Sequence, residues 1–257
     1  MMNKDKHQLA QLLLEAKDTA APLPVEYRQA FTLEEAYDVQ RELTALKVAR
    51  GQRVVGKKIG FTGRAMRKQF NIDTSDYGSL FNDEVFSQGT PIPVSKFISP
   101  KVEGEIAFLL KKDLKGPGAN IYDVLDATQG VMACLEFVDS RWGDGIGFID
   151  SVADNGGCGG FLLGSKILPL VDLDLRYIAM FVQKNGELLS SGAGVEVMGD
   201  PMNAVAWLAN CLAAHGDYLK AGDIILSGAL TGATPVVAGD NLSVCFSQLG
   251  NIDVKFI

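Results

Sequence analysis

Residues 101–110 read KVEGEIAFLL, and residues 131–138 read VMACLEFV. Both are strongly apolar runs interrupted by glutamate. Alternation along the first puts Val102, Gly104, Ile106, Phe108 and Leu110 on one face of a strand and Glu103 with Glu105 on the other, about 6.6 Å apart along the chain. If that second face is a solvated edge, the two acids are simply exposed. The other run is apolar on both sides of Glu136, which predicts a strand buried on both faces. A lone ionised carboxylate there costs several kcal/mol unless something pairs with it. Glu136 therefore calls for a cation: Arg141, a lysine, or a metal ion shared with Glu103 and Glu105. Three carboxylates on two buried strands make an oxygen-rich site for a hard divalent ion such as Mg²⁺ or Mn²⁺.

Other chemistries are poorly supplied. Only two histidines exist, His7 in a polar N-terminal stretch and His215 at a predicted helix end, where it complements the helix dipole. A histidine-based zinc site or a Ser-His-Asp triad is thereby nearly excluded. The glycine-rich stretches at 143–148 and 154–160 match neither G-x-G-x-x-G nor a Walker motif, so they read as tight turns close to a ligand or another strand. A net charge of -7 without clustered Lys and Arg argues against a nucleic-acid partner. The apolar stretch near residue 12 is cut by Glu15 and Lys17 before a signal-peptide core forms, and no segment reaches the roughly 20 apolar residues of a membrane span. Cys134, Cys158, Cys211 and Cys245 are widely spaced, as expected of reduced thiols in a cytoplasmic protein.

Helical periodicity predicts helices over 7–17 and 32–50, the second opened by a Thr32–Glu35 capping box and closed by Gly51. A strand is predicted over 52–61, a short helix over 64–70, a polar loop over 71–81 and a short helix over 120–127. Asn185-Gly186 marks a hairpin, and Asp200-Pro201 opens a helix running to His215. Strands ending in a hairpin around Gly250 close the chain. The result is one α+β unit: an N-terminal helical segment, 1–50, and a core, 51–257. In VVGKKIGFTG, alternation turns either Lys57 or Lys58 inward, where a partly desolvated lysine has a lowered pKa and exchanges protons near neutral pH; two solvated lysines are the alternative. Asp76, in SDYG, reads locally as a turn former before Gly78.

Taken together, GKKIGFT, SDYGSLF, PKVEGEIAFLL, CLEFVDSR, SVADN, GDPMNAVAWLAN and AGDIILSGALTG resemble the hydratase/decarboxylase branch of the fumarylacetoacetate hydrolase superfamily, from about residue 30 to the end. The resemblance implies a mixed β-sheet roll with the N-terminal helices packed outside, and a homo-oligomer, pentamer or decamer. It implies that Glu103, Glu105 and Glu136 bind Mg²⁺ or Mn²⁺, that Lys58 and Asp76 are the proton-transfer pair, and that Ile59, Asn155 and Ser227 touch substrate. The implied activity is addition of water to 2-hydroxypenta-2,4-dienoate (2-oxopent-4-enoate), giving 4-hydroxy-2-oxopentanoate in aromatic meta-cleavage catabolism. Decarboxylation of 4-oxalocrotonate, acylpyruvate-type C–C hydrolysis and non-catalytic binding of a 2-oxo acid are the alternatives. Phe61, Gly63 and the Gly156-Gly157 pair depart from the usual pattern of the branch and reshape the expected pocket. SGALTG at 227–232 resembles the pentenoate hydratase and oxalocrotonate decarboxylase forms of the branch, which makes a substrate with a second carboxylate less favoured for hydration.

Overall fold

The structure, a computed structural model, describes residues 5–28, 31–143 and 147–257, with the side chains of 69 and 70 left aside. The first two helices are specified locally. In α1 (Lys6–Thr19) the Asp5 side chain caps the Gln8 N–H, and in α2 (Leu33–Ala49) Thr32 and Glu35 form the expected capping box. Leu9, Leu13, Ala36 and Leu43 turn into the main apolar core. Helix α2 also buries Lys47, whose ammonium meets the buried Glu84 together with Lys17 of α1. Burial would raise the Glu84 carboxyl, but the two lysines outweigh it and hold it below the usual range. This ion triad ties the helical layer to the turn that follows the second strand.

The remaining elements are β1 (Val54–Gly60), α3 (Arg64–Phe70), β2 (Asp76–Phe81), β3 (Val85–Phe86), β4 (Lys101–Leu110), α4 (Ile121–Ala127), β5 (Thr128–Val138), α5 (Phe148–Ala153), β6 (Cys158–Leu163), β7 (Ala179–Lys184), β8 (Glu187–Ala193), α6 (Pro201–Ala213), β9 (Ile224–Ala229), β10 (Thr234–Pro235), β11 (Asn241–Phe246) and β12 (Gly250–Lys255). One mixed sheet runs β2-β1-β9-β4-β5-β6-β3, with β10 also paired to β4; a second, antiparallel sheet runs β12-β11-β7-β8. Pairs β1–β9 and β3–β6 are parallel and the other pairs of the large sheet antiparallel. The predicted β7–β8 hairpin turns at Asn185-Gly186, both with positive φ, as a type I′ turn requires.

The two sheets pack face to face, and at Gly104 they approach closely. A Cβ there would lie 2.3 Å from Met180 Sδ of β7 and 3.2 Å from Val244 Cγ1 of β11. The even-numbered face of β4 thus belongs to the core between sheets, and Glu103 and Glu105 face the other way, into the concave side of the large sheet. A second apolar cluster fills that concavity: Leu80, Ala107, Met132, Cys134, Phe161 and Leu226. The curl is what makes the chain a mixed-sheet roll.

Two local expectations are corrected. Residues 71–81 are not all polar loop, because β2 forms from Asp76 onward with every residue buried. Polar groups within it and just before its start are bonded from other segments: Ser75 Oγ donates to Phe61 O at 3.1 Å, and Ser79 N–H donates to Asn155 Oδ1 at 2.7 Å. Helix α6 ends at Ala213, two residues before His215; residues 214–216 turn the chain at Gly216, whose φ is +71°. Of the glycine-rich stretch 143–148, residues 144–146 lie outside the described residues.

Candidate active site

Antiparallel pairing of β4 with β5 sets Glu103 directly opposite Glu136, and Glu105 opposite Cys134. All three glutamates therefore share the concave face, with one oxygen of each lying within 4.8 Å of the others. On the far flank, Lys58 pairs with Gly78 of β2 and Leu226 of β9, so its side chain faces the same concavity. In a flat sheet β1 and β5 stand three strand spacings apart, about 14 Å. The curl closes that gap: Lys58 Nζ lies 3.4 Å from Glu136 Oε1 and donates to Gly156 O at 2.8 Å. Asp76, at the start of β2, stands opposite Gly60. A Cβ on Gly60 would lie 2.1 Å from Asp76 Oδ1 and 3.2 Å from Lys58 Nζ, so carboxylate and ammonium both lie over that glycine.

A cleft of about 580 Å³ opens above this group. Lys58 and Glu103 form part of its wall, with Phe61, Met66, Val138 and Leu230 as apolar surface and Ser151 as a hydroxyl. Phe61 holds a positive φ of 53° and packs edge-on against Phe148, ring centroids 5.4 Å apart. The ends of β9 shape the floor. Between Leu226 and Ala229 this strand carries one residue more than β4 does between Ala107 and Glu105. The resulting bulge puts Gly228 at φ +113° and aims its N–H at Glu105 Oε2, 2.7 Å away.

The electrostatics are those of a cluster short of positive charge. Burial raises Glu103, Glu105 and Glu136 above ordinary carboxyls. The charge of Glu136 pushes Glu103 and Glu105 further, Glu103 reaching about 7 and Glu105 lying well above its usual value. Lys58 corrects an expectation. Burial alone would lower its pKa, but Glu136, Asp76 and Glu103 outweigh burial and hold the ammonium above the ordinary lysine value, not near neutrality. Glu136 Oε1 and Oε2, Glu105 Oε1, Asp76 Oδ1 and Ser227 Oγ are buried without a hydrogen-bond partner. Orphaned buried carboxylate oxygens are costly, and a hard cation surrounded by oxygen donors is the partner they fit. The three glutamates therefore suit a divalent ion, and Lys58 partners Glu136 alongside them. Arg141, the other candidate partner for Glu136, is instead paired with the buried Asp154.

The residues expected at substrate divide. Ile59 borders the cleft, but its side chain is fully buried in the main core, so it offers backbone. Asn155 and Ser227 are not part of the cleft wall. The Asn155 amide is spent on the Ser79 backbone, accepting at 2.7 Å and donating at 2.9 Å, and thus anchors β2. Two contributors escaped the sequence reading. Ser151 Oγ donates to Asp76 Oδ2 at 3.2 Å. Gln40 Nε2, reaching in from α2, donates to Tyr77 O and Val152 O, both at 2.8 Å. The only sequence signal for Gln40 was a polar residue on the apolar face of α2.

A mixed-sheet roll with three converging glutamates and a buried lysine under a small-molecule cleft defines an enzyme-like acidic centre of the oxygen-donor type. The chain belongs to the fumarylacetoacetate hydrolase family: residues 48–257 match the family described as Fumarylacetoacetate (FAA) hydrolase C-terminal. It is 42% identical over 246 residues to 2-hydroxyhexa-2,4-dienoate hydratase of Comamonas testosteroni, spanning 95% of this chain and 93% of that protein. To 2-hydroxypent-2,4-dienoate hydratase of Pseudomonas putida it is 46% identical over 187 residues, 72% of this chain and 84% of that one. The structure of 4-oxalocrotonate decarboxylase from Pseudomonas putida G7, complexed with magnesium and adipate, is similar with a TM-score of 0.95 at 35% identity, covering 100% of this chain and 99% of that one.

Proposed function

We propose that this protein is a divalent-metal-dependent hydro-lyase that adds water to 2-hydroxypenta-2,4-dienoate and yields 4-hydroxy-2-oxopentanoate. The observation carrying this reading is the set of orphaned glutamate oxygens beside Lys58 at the base of the cleft, in a chain so similar to dienoate hydratases. Glu103, Glu105 and Glu136 would hold Mg²⁺ or Mn²⁺. Bound there, the ion supplies Lewis acidity at the carboxylate and 2-oxygen end of the substrate. Lys58 adds a fixed positive charge that draws an anionic substrate toward an otherwise acidic floor. Phe61, Met66 and Leu230 give the hydrocarbon tail an apolar wall and keep bulk water off it. Lys58 and Asp76 exchange the protons of ketonisation and of water addition at C4. The homo-oligomer and cytoplasmic location implied by the resemblance belong to the same reading.

The test is incubation of the purified protein with freshly generated 2-hydroxypenta-2,4-dienoate in Mg²⁺, Mn²⁺ or EDTA. Dienol absorbance is followed and products are identified by mass, with light scattering on the same preparation for assembly. A metal-dependent gain of one water, lost in Glu105→Gln and Lys58→Ala, is expected. Similarity to the decarboxylase structure over the whole chain favours one second reading, loss of CO₂ from 4-oxalocrotonate. CO₂ release from that acid, with the dienoate left unchanged, would replace hydration by decarboxylation.

A further inference from the structure

Asp76 is fully buried and forms no part of the cleft wall, so a molecule in the cleft does not meet its carboxylate directly. Ser151 spans that separation. It borders the cleft, and its hydroxyl donates to Asp76 Oδ2 at 3.2 Å. Among the described residues no other side chain hydrogen-bonds this carboxylate, and Oδ1 has no partner at all. The placement of Ser151 is built rather than incidental. Tyr77 follows Asp76 and Val152 follows Ser151, and the buried Gln40 amide bonds the carbonyl oxygens of both, 2.8 Å each. Tyr37, one helical turn before Gln40, stacks on Tyr77 with centroids 4.6 Å apart and planes 19° apart. Helix α2 thus fixes the start of β2 against α5, and with them the Ser151–Asp76 bond.

We propose that Ser151 is a catalytic residue, the relay through which water in the cleft passes its proton to Asp76. The proposal rests on the assignment of Asp76 to proton transfer. As the water oxygen bonds to C4 of the conjugated 2-oxo-3-enoate, its proton moves to Ser151 Oγ while the serine proton moves to Asp76 Oδ2. The C3=C4 electron pair becomes the C2=C3 bond, and the carbonyl pair retreats to the 2-oxygen. Lys58 then protonates C3, the carbonyl re-forms, and Asp76, lying over the same glycine as Lys58, returns the proton to the lysine. Substrate plus one water gives product, and all three side chains regain their starting states.

The experiment uses the full chain with saturating Mg²⁺ and compares Ser151→Ala, Ser151→Thr and Asp76→Asn for kcat, KM, Mg²⁺ affinity by calorimetry and Tm. Ser151→Ala is expected to lose roughly 10²-fold or more in kcat, the scale of a positioned proton-transfer group. KM should stay within about 3-fold and Mg²⁺ affinity unchanged, while Ser151→Thr, which keeps the hydroxyl, recovers most of the rate. A proton inventory in mixed H₂O and D₂O should be curved for the native protein and linear for Ser151→Ala. If the alanine variant does not fold, Ser151→Cys, similar in size with a weak S–H donor, carries the same expectation. Full activity of Ser151→Ala beside an inactive Asp76→Asn overturns the relay alone. Full activity of both overturns the role of Asp76 and the relay with it. A loss that Ser151→Thr does not recover, or that comes with weakened Mg²⁺ binding, makes Ser151 structural and overturns the proposal.

Discussion

Replacing Glu105 by glutamine removes one charge from the buried cluster and keeps the hydrogen bond from Gly228 N–H, since an amide oxygen accepts as well. Two ionised carboxylates with oxygens within 4.8 Å of each other repel by about 3.5 kcal/mol or more at an effective dielectric of ~20, and Glu105 faces two such neighbours. Proton uptake caps that cost. A carboxyl with a usual pKa of 4.5 can be kept protonated at pH 7.5 for about 4 kcal/mol. The metal-free Glu105→Gln protein should therefore be more stable than the metal-free native protein by about 2–4 kcal/mol at pH 7.5, on the order of 5–15 °C in Tm. The sign follows from the direction of the shift. A carboxyl raised in the folded state contributes its stability in full below the unfolded pKa and loses it as pH rises through the folded value, so the advantage of glutamine vanishes near pH 4.5.

Metal offsets most of that difference. At 100 times its Kd, Mg²⁺ stabilises the native protein by about 2.7 kcal/mol, roughly 5–10 °C here, and stabilises the variant little. Calorimetric Tm values at pH 5.0 and 7.5, each with EDTA and with Mg²⁺, contain the whole test. If metal-free Glu105→Gln is no more stable than metal-free native protein at pH 7.5, the repulsion reasoning is wrong. If Mg²⁺ raises both Tm values equally, the ion binds elsewhere.

Gly228→Ala places a Cβ 2.2 Å from Thr62 Oγ1 at a φ of +113°, so urea denaturation should show a loss of about 2–5 kcal/mol and calorimetry a weaker Mg²⁺ site. Gln40→Leu leaves the buried carbonyls of Tyr77 and Val152 without their donor, and the same denaturation assay should register a loss of about 2–5 kcal/mol. Glu103 is pushed up to about 7, so at pH 6 it carries a proton that Mg²⁺ must displace. Calorimetry in two buffers of different ionisation enthalpy should show proton release on Mg²⁺ binding at pH 6, with affinity rising as pH increases through about 7.

The two acidic strands at the heart of the site were legible because β4 and β5 are apolar runs of 10 and 11 residues, and a buried glutamate in each demands a shared solution. The acidic cluster follows once the two strands are neighbours. Asp76 was opaque for the opposite reason. Its neighbours Thr74, Ser75 and Ser79 are polar, and the groups that bond this polar stretch come from residues 61, 151 and 155, on other segments. Lys58 was half legible: alternation showed that one of two lysines turns inward, but the sign of its pKa shift depends on how many carboxylates the curl brings near it, which is a property of the closed roll.

Glycines around the site carry the same lesson in reverse. SDYG and DNGG look like turn chemistry in one dimension, yet Gly78 lies within a strand, as Gly60 does in the predicted one. What they supply is room. A Cβ at Gly60 would strike the Asp76 carboxylate, one at Gly78 would lie 2.4 Å from Asn155 O, and one at Gly156 would lie 3.1 Å from Lys58 Nζ. A buried lysine and a buried aspartate can share one small volume only if the backbone around them gives up its side chains. Gly60, Gly78 and Gly156 are thus the imprint of the site on the sequence, and it becomes readable only when β1, β2 and the segment at 155–157 are known to be neighbours.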